Sequence, residues 1–368
     1  MHIFVPALPQ AARDLAVPSG TIQLTLTLYL AGVAIGQLFW GPLSDRVGRR
    51  PALLAGMALY TLGSLASALA PGVNGLIGAR IVQALGGCCG LVLGRAVLRD
   101  VSSAREAAAS MALMNLFMSI GPAMAPLVGG VAAAWFGWRA IFVFLALLGV
   151  LTLAATFRTL RETHIERGRP SGVLRGYVRL LGIAEFRALA IGGACTTTSF
   201  YAFLSAAPFI FADRLHRPAI EIGFYFVVPI LGFSIGALLA NHLVRRFEPM
   251  RIMLVASGVA SLGAAAFAAF VISDHLSVTA VLLPILVFCI GSGTVSPLVL
   301  SIAIGVQPGM IGAASGLYGF AQMGYGALCT LMVSQWQANP AEGAAIVLCG
   351  STLAGLAGII VAARVRSG

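Results

Sequence analysis

The stretch Gly41-Pro42-Leu43-Ser44-Asp45-Arg46-Val47-Gly48-Arg49-Arg50-Pro51 follows an uncharged run from Thr21 to Leu43. As a helix, that run is about 34 Å long at roughly 1.5 Å per residue, which is enough to cross a bilayer. A tight, glycine-punctuated loop of four charges between two apolar helices is costly unless it lies at a membrane surface. The stretch therefore predicts a short hinge between two membrane-spanning helices.

The composition of the whole chain points to the same class. Hydrophobic residues make up 59% of the 368 residues and charged residues 10%, whereas a soluble domain carries roughly 25% charged residues. All 23 basic residues are arginine, and they fall between apolar runs. No segment combines basic and aromatic residues as a nucleic-acid surface does. The net charge of +11 is therefore not a sign of nucleic-acid binding, and the placement of the arginines indicates how the chain is oriented in a membrane.

Apolar runs divide the chain into eleven candidate spans, separated mostly by short turns such as Ala70-Pro71-Gly72. We expect an all-α polytopic membrane protein with two helical bundles, residues 1–160 and 185–368, joined by a charged linker at 161–184. The spans are predicted at 21–43, 52–70, 76–98, 107–134, 138–158, 186–211, 219–243, 251–272, 279–305, 312–336 and 343–363.

Arginine placement predicts which side is cytoplasmic. The loops at 44–51, 99–106, 158–187 and 244–251, together with the C-terminal tail, hold seventeen arginines, against four in the opposite loops. Loops rich in arginine face the cytoplasm. We therefore expect the linker and the C-terminus to be cytoplasmic.

The two halves repeat each other. The stretch from Leu43 to Arg50 resembles the stretch from Leu239 to Arg246, although the second copy lacks the acid and the second glycine. Repeated transmembrane halves with a site between them are typical of a transporter. The first half has five spans where the second has six, so we expect a first helix of which residues Ile3 to Leu8 are the outer end.

Several segments resemble a known family, the drug:proton antiporters of the major facilitator superfamily. The likeness is greatest to the bicyclomycin-resistance and chloramphenicol/florfenicol exporter branch. It covers most of the first half, while the second half matches in pattern. The matching segments are 4–9, 22–27, 41–51, 80–84, 95–100, 125–130 and 137–142. The resemblance implies the major facilitator fold, with two pseudo-symmetric bundles and eleven spans present of an expected twelve.

The loop signature of this family implies a gating latch on the cytoplasmic side. Asp45 can pair with Arg49 or Arg99, and Asp100 can pair with Arg46. Gly41 and Gly48 allow close approach and the sharp return of the chain. The alternative is surface charge that only sets topology, because surface pairs contribute about 0–1 kcal/mol each. The expected latch residues are Gly41, Asp45, Arg46, Gly48, Arg49, Arg50, Arg99 and Asp100.

Arg80 stands inside a predicted span, with Gln83 on the same helix face. A charge within a membrane helix normally faces a cavity or a partner, and the resemblance implies a role in proton coupling. The alternative is an arginine that extends to the outer interface.

In the fourth span, the resemblance implies an exporter element that packs tightly and seals the resting state, formed by Pro122, Pro126, Gly129 and Gly130. Ordinary small-residue packing predicts the same contact.

A substrate cavity lined by aromatic, Met and amide side chains suits varied apolar drugs. Each candidate could instead face lipid or the core. The candidates are Tyr29, Asn115, Met118, Thr197, Phe200, Tyr201, Tyr225, Tyr318, Gln322 and Tyr325.

All twelve carboxylates fall in loops or at helix ends. The proton carrier is therefore upstream, or His2 substitutes for it, or coupling differs.

We expect proton-coupled efflux of small, mostly apolar drugs by alternating access across the bacterial inner membrane. A metabolite exporter or symporter on the same scaffold is the alternative. An intramembrane enzyme is disfavoured, because no paired carboxylates, His-acid cluster or Ser-Lys arrangement lies in the spans. No cofactor or metal is predicted, since the proton gradient supplies the energy. The expected partners are the lipid bilayer, a drug and protons, but not nucleic acid, and we expect a monomer.

Overall fold

The computed structural model describes residues 1–101, 114, 121–122, 124–163, 173–307 and 310–367. A 3-10 turn at His2–Ala7 leads into a succession of helices. They are α1 Leu8–Asp14, α2 Ser19–Val47, α3 Arg49–Leu69, α4 Val73–Val101, α5 Met124–Phe136, α6 Trp138–Thr159, α7 Val173–Gly182, α8 Ala184–Thr198, α9 Phe200–Phe209 with a π turn at Ile210–Arg214, α10 Ala219–Tyr225, α11 Val227–Leu243, α12 Pro249–Ile272, α13 Val278–Gly305, α14 Ile311–Ser334 and α15 Pro340–Ser367.

Within these ranges, nine segments are long and apolar enough to cross a membrane, and each overlaps a predicted span. The predicted span at 312–336 corresponds to α14, which is 24 residues long. It is less apolar because Gln322 and several glycines interrupt it. The predicted span at 107–134 lies mostly outside the described residues, and its end forms α5. The all-helical membrane fold predicted from the sequence is confirmed.

The helices pack in two groups that follow chain order. In the first half, α3 packs against α4 and α6, and α2 packs against α4. In the second half, α12 packs against α13 and α15, α11 packs against α13, and α8 packs against α15. The bundle boundaries at 160 and 185 stay a prediction.

A long seam between α2 and α14 joins the two halves. Near one end, a Cβ on Gly20 would lie 2.8 Å from Cγ of Gln337. In the middle, the hydroxyl oxygens of Thr27 and Thr330 are 2.8 Å apart. Towards the other end, the Gln37 side chain occupies the space where a Cβ on Gly319 would lie. We call the end that carries the turn at Gly48 the Arg-rich end, and the end that carries the turn at Gly137 the opposite end.

Part of the predicted linker is helical. Helix α7 buries Leu180 and exposes Arg175 and Arg179. It packs against α8 and α14, where Cε of Met310 lies 3.0 Å from the position of a Cβ on Gly176. The linker is therefore amphipathic here and lies on the second half at the Arg-rich end.

Candidate functional site

Arg80 is fully buried in the first half. Helix α4 begins at Val73, so Arg80 lies roughly 10 Å along it at about 1.5 Å per residue. The guanidinium carbon stands 4.1 Å from the ring centroid of Tyr29 and 5.5 Å from that of Phe142. Such ring contacts stabilise a desolvated cation by about 2 kcal/mol. This position contradicts an arginine extending to the outer interface.

Gln83 holds the Arg80 side chain, as the helix spacing predicts. Nη1 of Arg80 donates to Oε1 of Gln83, and Nε2 of Gln83 donates to Oγ of Ser64 at 2.7 Å. Ser64 can come this close because Gly63 precedes it on α3, where a Cβ would lie 2.7 Å from Cα of Gln83. No local pattern pointed to Ser64, because it lies on a neighbouring helix.

Two nitrogens of Arg80, Nε and Nη2, have no hydrogen-bond partner among the described residues. Every described carboxylate lies in a loop, in a turn or near a helix end, as the sequence predicts. The Arg80 guanidinium is therefore held by an amide and aromatic rings. The Phe4 ring also contacts Arg80, with its centroid 5.7 Å from the guanidinium carbon. The His2 ring centroid is 6.3 Å from that of Tyr201 in the second half.

The predicted exporter element packs against both the N-terminal segment and the second half. The carbonyl oxygen of Ile3 fills the space where a Cβ on Gly129 would lie, and a Cβ on Gly130 would lie 2.7 Å from the carbonyl oxygen of Ala219. On α10, a Cβ on Gly223 would lie 2.8 Å from the carbonyl oxygen of Pro126. A larger residue at Gly130 or Gly223 would separate α5 from α10, and one at Gly129 would separate α5 from the N-terminal segment. Pro122 lies beside this element, partly buried.

Several of the predicted cavity residues gather on α8, α9 and α14. Nε2 of Gln322 donates to the Thr197 hydroxyl at 3.1 Å. Tyr318 is buried, and its hydroxyl oxygen lies 2.6 Å from the position of a Cβ on Gly193. Tyr201 packs on Gly326, where its ring lies 2.6 Å from the position of a Cβ. These residues form a cluster that is mostly aromatic, with a few hydroxyl and amide groups, and Thr197 and Tyr318 are buried in it.

Other predicted cavity residues are placed differently. Tyr325 donates to the Ser351 hydroxyl at 2.8 Å, and Phe200 packs edge-to-face on Phe233. Tyr225 lies at the end of α10, where its hydroxyl donates to Glu221 at 2.6 Å, so it is engaged away from Thr197 and Gln322. Asn115 and Met118 lie outside the described residues.

At the Arg-rich end, Arg49 is the centre of a charge cluster, which we call the Arg49 cluster: Asp45, Arg49, Asp100 and Glu162. Arg49 donates from Nη1 to Asp45 at 2.6 Å and from Nε to Asp100 at 3.1 Å. Its side chain is only 12% exposed. Partial burial strengthens these charge-assisted bonds relative to surface pairs.

Glu162 is a member of this cluster that the sequence did not reveal. Its carboxylate accepts from the backbone N–H of Arg49 at 2.9 Å and from that of Arg50 at 3.3 Å. A carboxylate at a helix N-terminus satisfies unpaired N–H groups and is favoured by the helix dipole. Glu162 thus ties the end of the first half to the start of α3. It lies more than a hundred residues beyond Arg49, so no local spacing signals the contact.

Two of the contacts predicted for the latch differ in the structure, one at Asp100 and one at Gly41. Asp100 accepts from Arg49 and not from Arg46, because α2 continues to Val47 and leaves Arg46 exposed. Gly41 does not mediate a close approach, because a Cβ there would meet nothing within 4 Å. Gly48, with φ of 103°, makes the sharp return as expected. The Arg99 side chain lies outside the described residues.

This architecture belongs to a known family. Residues 1–330 match the model of the Major Facilitator Superfamily, so the chain belongs to that superfamily and is a multi-pass membrane transporter, not an enzyme. Among solved structures, a D-xylose-proton symporter matches with a TM-score of 0.74 at 14% identity, covering 96% of this chain and 93% of that one. At that identity, the likeness concerns the fold.

Among curated relatives, multidrug resistance protein D of Escherichia coli is 30% identical over 367 residues, covering 96% of this chain and 91% of the relative. A chloramphenicol resistance protein of Pseudomonas aeruginosa is 32% identical, covering 80% of this chain and 70% of the relative. A bicyclomycin resistance protein homolog of Haemophilus influenzae is 26% identical, covering 93% and 86%. The resemblance to this branch, predicted from the motifs, is confirmed.

Proposed function

We propose that this chain exports small, mostly apolar drugs across the bacterial inner membrane, in exchange for protons, by alternating access. The observation that carries the proposal is the buried Arg80, held by Gln83 and aromatic rings inside the first half. Burying a cation in a membrane helix is expensive and marks a functional site. The relatives named for drug resistance support the substrate class.

The chemistry of the cluster around Thr197, Tyr201 and Gln322 supports an apolar substrate. Aromatic rings offer large contact areas without strict hydrogen-bond demands, and the few polar groups orient a ligand. A sugar or other polar metabolite would need many more hydrogen-bonding groups than these residues supply. We therefore favour drug efflux over the metabolite exporter or symporter on the same scaffold.

Contacts between the halves occur at both ends and would alternate during transport. At the opposite end, Gln23 donates to the carbonyl oxygen of Ser205 at 3.0 Å, and Arg13 pairs with Asp213 at 3.7 Å. At the Arg-rich end, Gln37 covers Gly319. Alternating access requires that one set breaks while the other holds. We further propose that the transporter acts as a monomer with its C-terminus in the cytoplasm.

The test is drug-gradient formation in energised membrane vesicles, with a phenicol and a cationic dye as substrates. We expect the wild type to form a gradient that collapses when the pH gradient is dissipated. Arg80→Ala should abolish the gradient while membrane insertion stays intact. Arg95→Ala removes an exposed arginine from the same helix and should retain transport. Wild-type efflux by a well-expressed Arg80→Ala variant would contradict the role of Arg80.

A second measurement distinguishes drug efflux from metabolite transport. If purified wild type in vesicles moves neither test drug but exchanges a sugar or organic acid against protons, the protein is a metabolite transporter. If drug transport persists after the pH gradient is dissipated, export is correct but proton coupling is wrong.

A further inference from the structure

An open cleft of about 560 Å³ lies on the outer surface of the first half at the Arg-rich end, between the start of α3 and the end of α6. Its polar wall is formed by Arg50, Arg158, Arg161 and Glu162, and its apolar wall includes Leu54 and Phe157. None of these residues belongs to the cluster around Thr197 and Gln322. The cleft is therefore separate from the drug site proposed above.

The charge in this cleft is unbalanced. Three arginines face one carboxylate, and the carboxylate of Glu162 already accepts from the backbone N–H groups of Arg49, Arg50 and Thr163. Arg158 and Arg161 are exposed, and neither forms a salt bridge with a described carboxylate. The cleft therefore carries an excess of two positive charges.

One donor in the cleft is buried and unsatisfied. Nη2 of Arg50 donates to the carbonyl oxygen of Phe157 at 3.0 Å, but its Nε has no hydrogen-bond partner among the described residues. A buried donor without a partner costs about 1–3 kcal/mol. An anion with several acceptor oxygens would satisfy it and would also engage the other two guanidinium groups.

The apolar side of the cleft continues along the membrane-facing surface of α6. Leu147 and Leu151 are 59% and 65% exposed, and Phe157 is 63% exposed. Leu147, Leu151 and Arg158 are spaced by four and seven residues, so they share one helix face. This stripe is roughly 16 Å long at about 1.5 Å per residue, close to half the thickness of a hydrocarbon core of about 30 Å.

We propose that this cleft binds an acidic phospholipid, with its phosphate between Arg50, Arg158 and Arg161 and an acyl chain along Leu147 and Leu151. Guanidinium groups bind phosphate oxygens in a planar, bidentate manner. Basic pockets at the ends of membrane helices bind acidic headgroups. Inorganic phosphate shares the headgroup chemistry, but it cannot use the leucine stripe. The stripe is the reason for assigning a lipid.

Lipid binding can be measured by native mass spectrometry of the full-length protein in detergent, titrated with phosphatidylglycerol or with phosphatidylcholine of the same chains. We expect one phosphatidylglycerol to bind at least roughly tenfold more tightly than phosphatidylcholine. The double variant Arg158→Gln/Arg161→Gln should bind it roughly thirty-fold more weakly, from two lost charges near the headgroup. Both side chains are exposed, so the unfolding temperature should not change.

The control is Arg245→Gln/Arg246→Gln, which removes the same charge from the repeated loop of the second half and should leave binding within about twofold of wild type. Equal binding of phosphatidylglycerol to wild type and the cleft variant would overturn the proposal. So would equal binding of the two lipids to the wild type. Glycerophosphoglycerol, a headgroup without chains, and millimolar inorganic phosphate should bind far more weakly. If either binds as tightly as the lipid, the cleft is a site for free phosphate and the lipid assignment is wrong.

Discussion

The two halves make the same turn in different ways. In the first half, α2 ends at Val47 and α3 begins at Arg49, so that Gly48 alone reverses the chain. In the second half, α11 ends at Leu243 and α12 begins at Pro249, so that residues 244–248 are needed. The aligned stretches share a leucine and two arginines, but only the first has a glycine at the turn.

The backbone explains the difference in length. Gly48 has φ of 103° and ψ of 155°, a region open essentially to glycine alone. Val244, which follows α11, keeps a helical conformation with φ of −61°, so the chain there continues to coil before it reverses. A β-branched residue could not adopt the Gly48 conformation without strain.

The short turn creates a cluster that the long turn does not. Because the chain reverses at Gly48, the Arg49 side chain contacts both Asp45 and Asp100, whereas Arg245 and Arg246 are exposed. The same pair of arginines is therefore a packed element in one half and surface charge in the other. We therefore predict that substitutions at the turn of the first half affect stability and transport more than their counterparts in the second half.

The largest effect is expected for Gly48→Ala. The substitution forces alanine into a conformation that costs about 1–3 kcal/mol, and its Cβ would collide with the Glu162 carboxylate. We expect a free energy of unfolding about 3 kcal/mol lower and loss of transport. Gly41→Ala is the control, because its Cβ meets open space within a helix and should be neutral or stabilising by up to about 1 kcal/mol. Denaturant unfolding in detergent measures both, and equal losses would show that the turn geometry is unimportant.

The next effect is expected for Arg49→Gln, compared with Arg245→Gln. Loss of the Arg49 guanidinium leaves Asp45 and Asp100 without their shared donor. We expect a destabilisation of about 1.5–3 kcal/mol and at least roughly tenfold slower transport. The exposed Arg245 should contribute less than about 0.5 kcal/mol. Comparable transport rates of the two variants would contradict the asymmetry of the halves.

A smaller effect is expected for Asp45→Asn, whose counterpart is Asn241→Ala. The Asp45 side chain is 45% exposed, so its pairing with Arg49 is partly screened and worth about 1 kcal/mol. That energy changes the ratio of two conformations roughly fivefold. Because Asp45 lies near the end of α2, far from Thr197 and Gln322, the change should appear in transport rate and not in equilibrium drug affinity. Asn241→Ala should change neither, and a weakened drug affinity of Asp45→Asn would argue against a gating role.

The smallest effect is expected for Glu162→Gln. The amide keeps one acceptor oxygen for the N–H of Arg49 but loses the negative charge at the start of α3. We expect a loss of about 0.5–1 kcal/mol that diminishes at high salt. Glu248, which precedes α12, makes no side-chain hydrogen bond to cap that helix, so Glu248→Gln is the matched control. An effect that is independent of salt and the same in both variants would show that Glu162 does not stabilise α3 through its charge.

Some site contacts could be predicted from local spacing and others could not. The contact of Arg80 with Gln83, three positions apart, was predicted from their spacing. The contact of Asp45 with Arg49, four positions apart, was one of the two pairings predicted for Asp45. The pairing of Asp100 with Arg46 was predicted wrongly, because the sequence does not show that α2 continues past Arg46 and turns it outward. The placement of Tyr225 in the cavity stays a prediction, and in the structure its hydroxyl donates to its own neighbour Glu221.

By itself, the sequence determined the membrane class, the helical spans and the family, because hydrocarbon solvent imposes long apolar runs that are visible residue by residue. It also determined that Gly48 would reverse the chain, since that property belongs to glycine alone. Only the tertiary structure decided that Glu162 caps α3, that Ser64 holds Gln83, and that Gln37 covers Gly319. These contacts join residues far apart in the chain. Their partners are selected by how helices pack, which no local pattern records.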